Sequence, residues 1–258
     1  NYGSVSGDGP AASRYTEVRL SKIAEAGITE GLKNKVVNFM PNYSEDEEEP
    51  ITMPALFPNL LCNPTSGIGV AIASSWLPHN LTEVIASIKA YVENNSITTK
   101  ELVDNYLHGP DFPLGGRIIN KNNLVSCYET GRGRVIVQAR YDLETRGKKT
   151  LMVFKELPYG VNSEDLLEEI NKLYVAEKLT GIDAVRDESN KNGIRIVVEI
   201  ARGGNATSVA AKLYKETKLQ SNSNFNQVAL VDKVPTLLSL KDALKIYVSH
   251  QIDVITNE

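Results

Sequence analysis

Three consecutive stretches decide the fold: Leu-Met-Val-Phe-Lys-Glu-Leu at 151–157, a helical pattern at 164–179, and Gly-Ile-Arg-Ile-Val-Val-Glu-Ile-Ala at 193–201. The first and third predict β-strands, and in the third, apolar residues at even positions alternate with Arg195 and Glu199. The stretch between them has acidic residues in its first turn and a glycine after its end, as amphipathic helices do. Strand, helix and strand in this order predict an α+β module.

A basic segment precedes this module. Residues 131–143 alternate with period two, which predicts a half-buried strand, and residues 131–155 carry seven basic side chains against two acidic ones. Because the whole chain has a net charge of −4, this local excess is what a surface that follows phosphates requires. Exposed strand edges are also often basic, so an ordinary solvated edge is the competing interpretation. The predicted phosphate contacts are Arg132, Arg134, Arg140, Lys148 and Lys149.

Helix starts are marked by capping-box patterns. Asn80 with Glu83, Thr98 with Glu101, and Ser239 with Asp242 each stand just before an apolar helical pattern. Two further segments carry predictions. Residues 16–40 predict a helix capped by Thr16 followed by a second helical stretch, and residues 220–226 predict polar turns.

The run Ser44-Glu45-Asp46-Glu47-Glu48-Glu49-Pro50 predicts an exposed connector. Five adjacent like charges are too costly to bury, and Pro50 begins a new segment. A metal site is the alternative, but adjacent carboxylates without spacing are typical of a solvated loop. We therefore place a domain boundary here.

Composition limits the classes of function. The chain has 258 residues, 41% of them hydrophobic, which fits one or two globular domains. It shows no apolar run long enough to span a bilayer and no basic and apolar signal segment, so we expect a cytoplasmic protein with no membrane partner. Cys62 and Cys127 predict reduced core thiols, and a lone histidine such as His79 predicts a structural role. No sequence motif for ATP, dinucleotide or zinc binding is present, and no metal ligand is predicted.

Tyr15 is the candidate nucleophile. It follows a flexible lead at 3–10 and precedes the predicted helix at 16. We expect a phosphate on its oxygen to lie near unpaired backbone N–H groups at that helix start, with Arg14 as an adjacent cation. The alternative is an ordinary surface tyrosine.

Ile68 is flanked by Gly67 and Gly69, which predicts a projecting turn because glycine relaxes the backbone. The alternative is a packed strand residue.

A family resemblance joins these features. Asn1-Tyr2-Gly3-Ser4, Gly7-Asp8 and the stretch Ala11-Ala12-Ser13-Arg14-Tyr15-Thr16-Glu17 resemble the active-tyrosine segment of bacterial type IIA topoisomerase A subunits, the family of DNA gyrase and topoisomerase IV. The resemblance continues through Ser66-Gly67-Ile68, the stretch from Pro78 to Glu83, the stretch from His108 to Pro113, and Arg186-Asp187-Glu188.

The resemblance implies a domain order. Residues 1–49 would be the remainder of a winged-helix domain, 50–238 a tower-type α+β domain, and 239–258 the start of a truncated coiled-coil helix.

It also implies a mechanism and partners. Tyr15 would attack a phosphodiester of double-stranded DNA in an ATP-hydrolysing isomerase, Arg14 would stabilise charge, and Ile68 would wedge between base pairs. Mg²⁺ would be held by acidic residues of a partner B subunit, with no metal bound by this chain. The A subunit would form a homodimer, and this fragment alone would be inactive. The domain that distinguishes gyrase from topoisomerase IV is not expected within these residues.

Two other functions compete with this interpretation. The first is a non-catalytic DNA-binding or scaffold module that uses only the basic strand. The second is a small-molecule α/β enzyme, which the sequence favours least because it shows no convergent polar site.

Overall fold

The computed structural model describes residues 9–70, 72–190 and 192–258. The helices among them are α1 Lys22–Gly27, α2 Asn59–Cys62, α3 Leu81–Glu93, α4 Thr99–Asn105, α5 Leu124–Thr130, α6 Ser163–Val175, α7 Ala206–Glu216 and α8 Leu240–Asn257. The strands are β1 Phe39–Pro41, β2 Glu48–Pro50, β3 Thr65–Gly69, β4 Ile72–Trp76, β5 Arg117–Ile118, β6 Arg132–Gln138, β7 Tyr141–Arg146, β8 Lys149–Phe154, β9 Ile182–Asp187, β10 Ile196–Ile200, β11 Gln220–Asn226, β12 Val228–Val231 and β13 Val234–Leu237. Helices combined with several sheets confirm the predicted α+β class.

The chain divides into two compact units that interleave in sequence. The first unit contains the described residues up to Glu17 together with Phe112–Lys121 and Val135–Ser223. The second contains Val18–Asp111, Asn122–Arg134 and Asn224–Glu258. These units are discontinuous in sequence, whereas the predicted division at 49/50 and 238/239 follows the chain. That division stays a prediction.

A four-stranded sheet in the order β7-β8-β10-β9 forms the centre of the first unit. All of its strand pairs are antiparallel, and β10 pairs with β8 from Ile196 opposite Phe154 to Ile200 opposite Thr150. Side chains from α6 and α7 pack on the sheet and form one apolar core. Its fully buried members include Met152, Phe154, Leu166, Ile170, Ile196, Val198 and Leu213. Burial of each such side chain contributes about 1.5–3 kcal/mol to folding.

The helix between β8 and β9 begins where the sequence allows a cap. The Asn162 side chain accepts hydrogen bonds from the backbone N–H groups of Glu164 and Asp165. The two acidic residues also complement the helix dipole at that end. The predicted helix at 164–179 is therefore correct in place, although it ends at Val175.

The second unit is built from the predicted capped helices and three hairpins. The Asn80 side chain caps α3, and complete capping boxes start α4 and α8. In α3 the Glu83 carboxylate accepts a hydrogen bond from the His108 backbone N–H. The hairpins pair β1 with β2, β3 with β4 and β12 with β13.

Four local predictions were wrong. Residues 16–40 form one short helix, α1, which Ser21 rather than Thr16 caps. The apolar side chains of Val18, Leu20 and Ile23 are exposed, so no packing stabilises a longer helix. The second helical stretch is a 3₁₀ turn at Leu32–Asn34 followed by strand β1.

The other two errors concern strands. The predicted single strand at 131–143 is two strands, because the chain leaves β6 after Gln138 and starts β7 at Tyr141. Val135, Val137 and Ala139 are buried as the alternation predicts, but Leu143 is exposed. Residues 220–226 form strand β11 instead of turns, since tertiary pairing overrides the low strand propensity of serine and asparagine.

The acidic run belongs to a hairpin rather than a free connector. Its residues from Ser44 to Glu49 are exposed, as predicted, and Glu48 and Glu49 pair with β1. The Lys35 ammonium group contacts the Glu48 carboxylate at 2.7 Å. Within the described residues, no helix is long and apolar enough to cross a membrane.

His79 lies in the core of the second unit. Its Nδ1 donates to the Leu61 carbonyl oxygen at 2.8 Å, so its Nε2 accepts from the Tyr128 hydroxyl at 2.7 Å. Both contacts suit a neutral ring, and burial lowers the pKa of His79 from 6.5 to about 4. The structural role predicted for this residue agrees with these contacts.

His79 should make folding stability depend on pH. The unfolded chain binds a proton on this ring between pH 6.5 and about 4, where the folded chain does not, so stability falls as the pH drops through that range. The total loss is about 3 kcal/mol for this group. Urea unfolding at several pH values should show that His79→Gln is less stable at pH 7 but loses less stability towards pH 4. The exposed His108→Gln variant is the control. Equal pH dependence of the parent and His79→Gln would contradict the assignment.

Candidate functional site

The Arg14 and Tyr15 side chains meet in an exposed 3₁₀ turn at Ser13–Tyr15. An Arg14 guanidinium nitrogen donates to the Tyr15 hydroxyl at 3.1 Å, and the guanidinium carbon lies 4.8 Å from the centre of the ring. Tyr15 is 65% exposed. The pair therefore presents a phenol oxygen and a fixed positive charge to solvent at the same place.

The turn is held by its own backbone. The Tyr15 N–H donates to the Ala12 carbonyl oxygen, and both the N–H and the hydroxyl of Thr16 donate to the carbonyl oxygen of Ser13. The prediction of a helix start beside Tyr15 was wrong, because α1 begins only at Lys22. Arg14, rather than a helix terminus, is the cationic group that contacts the tyrosine oxygen. The resembling segment at residues 1–8 lies outside the described residues.

Ile68 lies on a projecting hairpin of the second unit. It is 93% exposed on β3, opposite Ala73 of β4. The base of the hairpin is fixed by hydrogen bonds that the Ser74 hydroxyl and the Trp76 indole donate to the Val228 carbonyl oxygen. An exposed apolar side chain on an anchored hairpin has the geometry that a wedge requires.

The reason given for the projection was partly wrong. Neither Gly67 nor Gly69 has a positive φ; both are extended within β3. An added Cβ at Gly67 would meet no atom within 4 Å, so the backbone there does not require glycine for space. Sequence reasoning also missed Val70, which is 97% exposed beside Ile68. The signal was present, because Val70 continues the same apolar run.

The structure shows how the predicted basic residues Arg132, Arg134, Arg140, Lys148 and Lys149 are placed. All five are exposed, and two of them form ion pairs with carboxylates. Arg140 contacts the Glu156 carboxylate at 3.7 Å, and the Lys149 ammonium group contacts the Glu199 carboxylate. Arg140 and Lys149 therefore carry less uncompensated charge than the sequence suggests.

An ion-pair network covers the face of the β7-β8-β10-β9 sheet on which Glu199 lies. Glu199 is 3% exposed and pairs with Lys149 and Arg186. Arg195 contacts Glu144 at 2.6 Å and Glu188 at 3.1 Å. These contacts lower the pKa of Glu144, Glu188 and Glu199, chiefly through hydrogen bonds from the arginine and lysine side chains. The carboxylates are thus kept ionised, and the contacts of Glu188 are those of a structural residue.

Comparison with known proteins identifies the family. The family model for the A subunits of DNA gyrase and topoisomerase IV matches residues 1–258. The chain belongs to this family.

Individual relatives agree with the match. The chain is 43% identical to the DNA gyrase A subunit of Ureaplasma parvum over 256 residues, which cover 99% of this chain and 30% of that protein. It is 43% identical to the DNA gyrase A subunit of Treponema pallidum, covering 99% of this chain and 32% of the relative. It is 44% identical to the DNA gyrase A subunit of Streptococcus pyogenes, covering 99% and 31%. This gyrase/topoisomerase IV A-family chain therefore spans about a third of the length of these relatives.

Metal ligands are not grouped in the described part of this A-family chain. In residues 9–70, 72–190 and 192–258, no three His, Cys, Asp or Glu side chains come close enough to hold an ion. Cys62 and Cys127 are free thiols, and Cys127 is buried as predicted, whereas Cys62 is only half-buried. Burial raises the pKa of both.

Glu199 should be the acid on which the charged face depends most. Glu199→Gln leaves Lys149 and Arg186 without their shared carboxylate, so the unfolding temperature at pH 7 should fall. The difference from the parent should shrink as the pH falls below 4.5, because the pKa of Glu199 is lowered and its ionised form is lost only there.

Asp142→Asn is the matched control for this measurement. Asp142 contacts Lys155 at 3.0 Å, but its side chain is 66% exposed, so the control should change the unfolding temperature little. Equal effects of the two variants would show that burial of Glu199 gives its ion pairs no special weight.

Proposed function

We propose that this chain carries the strand-cleaving tyrosine of a type IIA topoisomerase, with Tyr15 as the nucleophile. One observation carries the proposal: the exposed Tyr15 hydroxyl lies 3.1 Å from the Arg14 guanidinium, in a chain of the gyrase/topoisomerase IV A family. The reaction class is transesterification of double-stranded DNA.

The proposed step forms one bond and breaks one. The Tyr15 oxygen attacks the phosphorus of a phosphodiester, the bond to the 3′ oxygen breaks, and the 5′ phosphate becomes linked to the tyrosine. The phenol proton passes to a base, and the departing 3′ oxygen takes up a proton. Arg14 stabilises the negative charge that develops on the phosphate. Reversal by the 3′ hydroxyl reseals the strand after a second duplex has passed.

The domain architecture proposed for this function is the one that the family resemblance implies. Residues 1–49 are assigned to the remainder of a winged-helix domain, 50–238 to a tower domain, and 239–258 to the start of a coiled-coil helix. The capped helix α8 supports the last assignment, because it runs from Leu240 to Asn257.

The proposed reaction needs partners. The A subunit is assigned a homodimeric state and a B subunit that hydrolyses ATP and holds Mg²⁺ through its own acidic residues. No part of the step described above depends on a metal held by this chain. The fragment is therefore proposed to be inactive by itself.

A non-catalytic DNA-binding module is the second candidate, and the ion pairs weigh against it. A basic strand that acts alone needs uncompensated charge, whereas Arg140 and Lys149 contact carboxylates. Ile68 and the Arg14–Tyr15 pair have no role in that alternative.

Tyr15→Phe should abolish cleavage in the full-length A subunit with its B subunit, DNA and Mg²⁺. The change removes the nucleophile but little volume, so folding and DNA binding should persist. Arg14→Ala should slow cleavage by about 10²-fold or more, because it removes electrostatic stabilisation and leaves the nucleophile. Gel assays of denaturant-stable protein–DNA adducts would measure both effects.

Tyr43→Phe is the matched control, since this tyrosine is fully exposed between strands β1 and β2, away from the Ser13–Tyr15 turn in sequence. The Tyr43→Phe enzyme should cleave DNA at the parental rate. An adduct that persists in Tyr15→Phe would identify another residue as the nucleophile.

Ile68→Ala in the same full-length protein should reduce DNA bending and cleavage while the fold persists. The expected cause is loss of an apolar side chain that inserts between base pairs. Fluorescence energy transfer between labelled DNA ends would report bending. Leu143→Ala, which removes an exposed apolar residue elsewhere, should bend DNA normally. Normal bending by Ile68→Ala would contradict the wedge role.

Lys148 and Lys149 should contribute unequally to DNA binding. Lys148→Gln should reduce the slope of log affinity against log salt by about 1, as expected for one lost phosphate contact. Lys149→Gln should reduce it less, because Glu199 already compensates that charge. Binding titrations at several salt concentrations would measure both slopes. A larger reduction of the slope by Lys149→Gln than by Lys148→Gln would contradict this expectation.

A further inference from the structure

A cationic cleft opens on the first unit, and nothing in the proposed cleavage reaction uses it. It lies between the paired strands β5 and β6 and helix α7, and its volume is about 770 Å³. This volume is within the range of small-molecule sites. Its charged and hydrogen-bonding side chains include Arg117, Gln138, Arg140, Tyr214, Lys215 and Gln220.

The charge of the cleft has one sign. Among the described residues that line it, Arg117, Arg140 and Lys215 are cationic and none is Asp or Glu. Arg140 contacts a carboxylate outside the lining, that of Glu156, at 3.7 Å. Arg117 and Lys215 form no ion pair with any residue that the structure describes, so at least two of the three cations keep their charge available to a ligand.

The cleft is held in place by a chain of hydrogen bonds. Arg117 donates to the Gln138 side-chain oxygen at 3.0 Å, and the Gln138 amide donates to Gln220 at 2.7 Å. The Tyr214 hydroxyl donates to the Ala139 carbonyl oxygen at 2.7 Å. The guanidinium uses one nitrogen for Gln138 and has further N–H groups to donate. A guanidinium fixed in this way suits a tetrahedral oxyanion, which accepts several charge-assisted hydrogen bonds at once.

We propose that this cleft binds a phosphate group between Arg117 and Lys215. Two sources present that chemistry: a small phosphorylated molecule, or the backbone of DNA. The proposal rests on the cleft alone and does not depend on cleavage by Tyr15. The observation that carries it is that three cations and no acid occur among the described residues that line one cleft.

Inorganic pyrophosphate is the probe for the test, added to the 258-residue chain and followed by two-dimensional amide NMR. The parent should show saturable shifts concentrated at residues around Gln138, Lys215 and Gln220. The double variant Arg117→Gln with Lys215→Gln should bind at least about tenfold more weakly, because two charged donors are lost. Lys212→Gln is the matched control, since it removes a lysine of the same helix that does not line the cleft.

Each outcome of this experiment either supports or overturns the proposed phosphate site. No saturable binding up to about 10 mM pyrophosphate, or an equal loss in Lys212→Gln, would overturn the proposal. Shifts spread over all basic surfaces would overturn it too, and this readout needs no variant. If a short DNA duplex displaces pyrophosphate and the double variant weakens duplex binding, the phosphate is that of DNA. If pyrophosphate and the duplex bind at the same time, the ligand is a small phosphorylated molecule. Either of these two results supports the site and leaves the role of Tyr15 to its own test.

Discussion

Burial of strands β8 and β10 on both faces is the constraint on which the first unit depends. One face packs against α6 and α7, whereas on the other Leu151, Val153 and Val197 are buried beside Glu199. A carboxylate placed there has to be compensated, since an unpaired charge with so little access to water is costly. Lys149 and Arg186 supply that compensation. The same requirement explains why part of the basic sequence serves the fold rather than a ligand.

Sequence patterns correctly predicted the elements that depend on residues close together in the chain. The boxes at Thr98 and Ser239 start helices as predicted, because a side chain three residues away satisfies the exposed N–H groups. The strand at 196–200 was also predicted, but its alternation did not reveal that Glu199 is buried and paired with two more exposed cations, Lys149 and Arg186. Residues 18–23 looked amphipathic yet remain exposed. Periodicity reports which residues share a face and does not report whether anything packs on that face.

The candidate sites also differ in whether the sequence could predict them. Tyr15, Arg14 and Ile68 were found from short motifs and from the family resemblance, and their exposure agrees with an outward-facing role. The cationic cleft was missed because Arg117, Gln138 and Lys215 come from three separated segments. Only strand pairing of β5 with β6 and the position of α7 bring them together. Sequence patterns therefore showed no convergent polar site, because they do not report which residues of separated segments come together in the fold.

The central claim is that the exposed Tyr15 oxygen forms the bond to DNA. The most direct measurement is to trap the cleaved complex of the full-length A subunit, B subunit, DNA and Mg²⁺, digest it with nuclease and trypsin, and locate the remaining nucleotide by mass spectrometry. The account predicts the added mass on the phenol oxygen of Tyr15, in the peptide that ends at Arg19. A nucleotide on any other tyrosine, or on a serine or threonine, would contradict it.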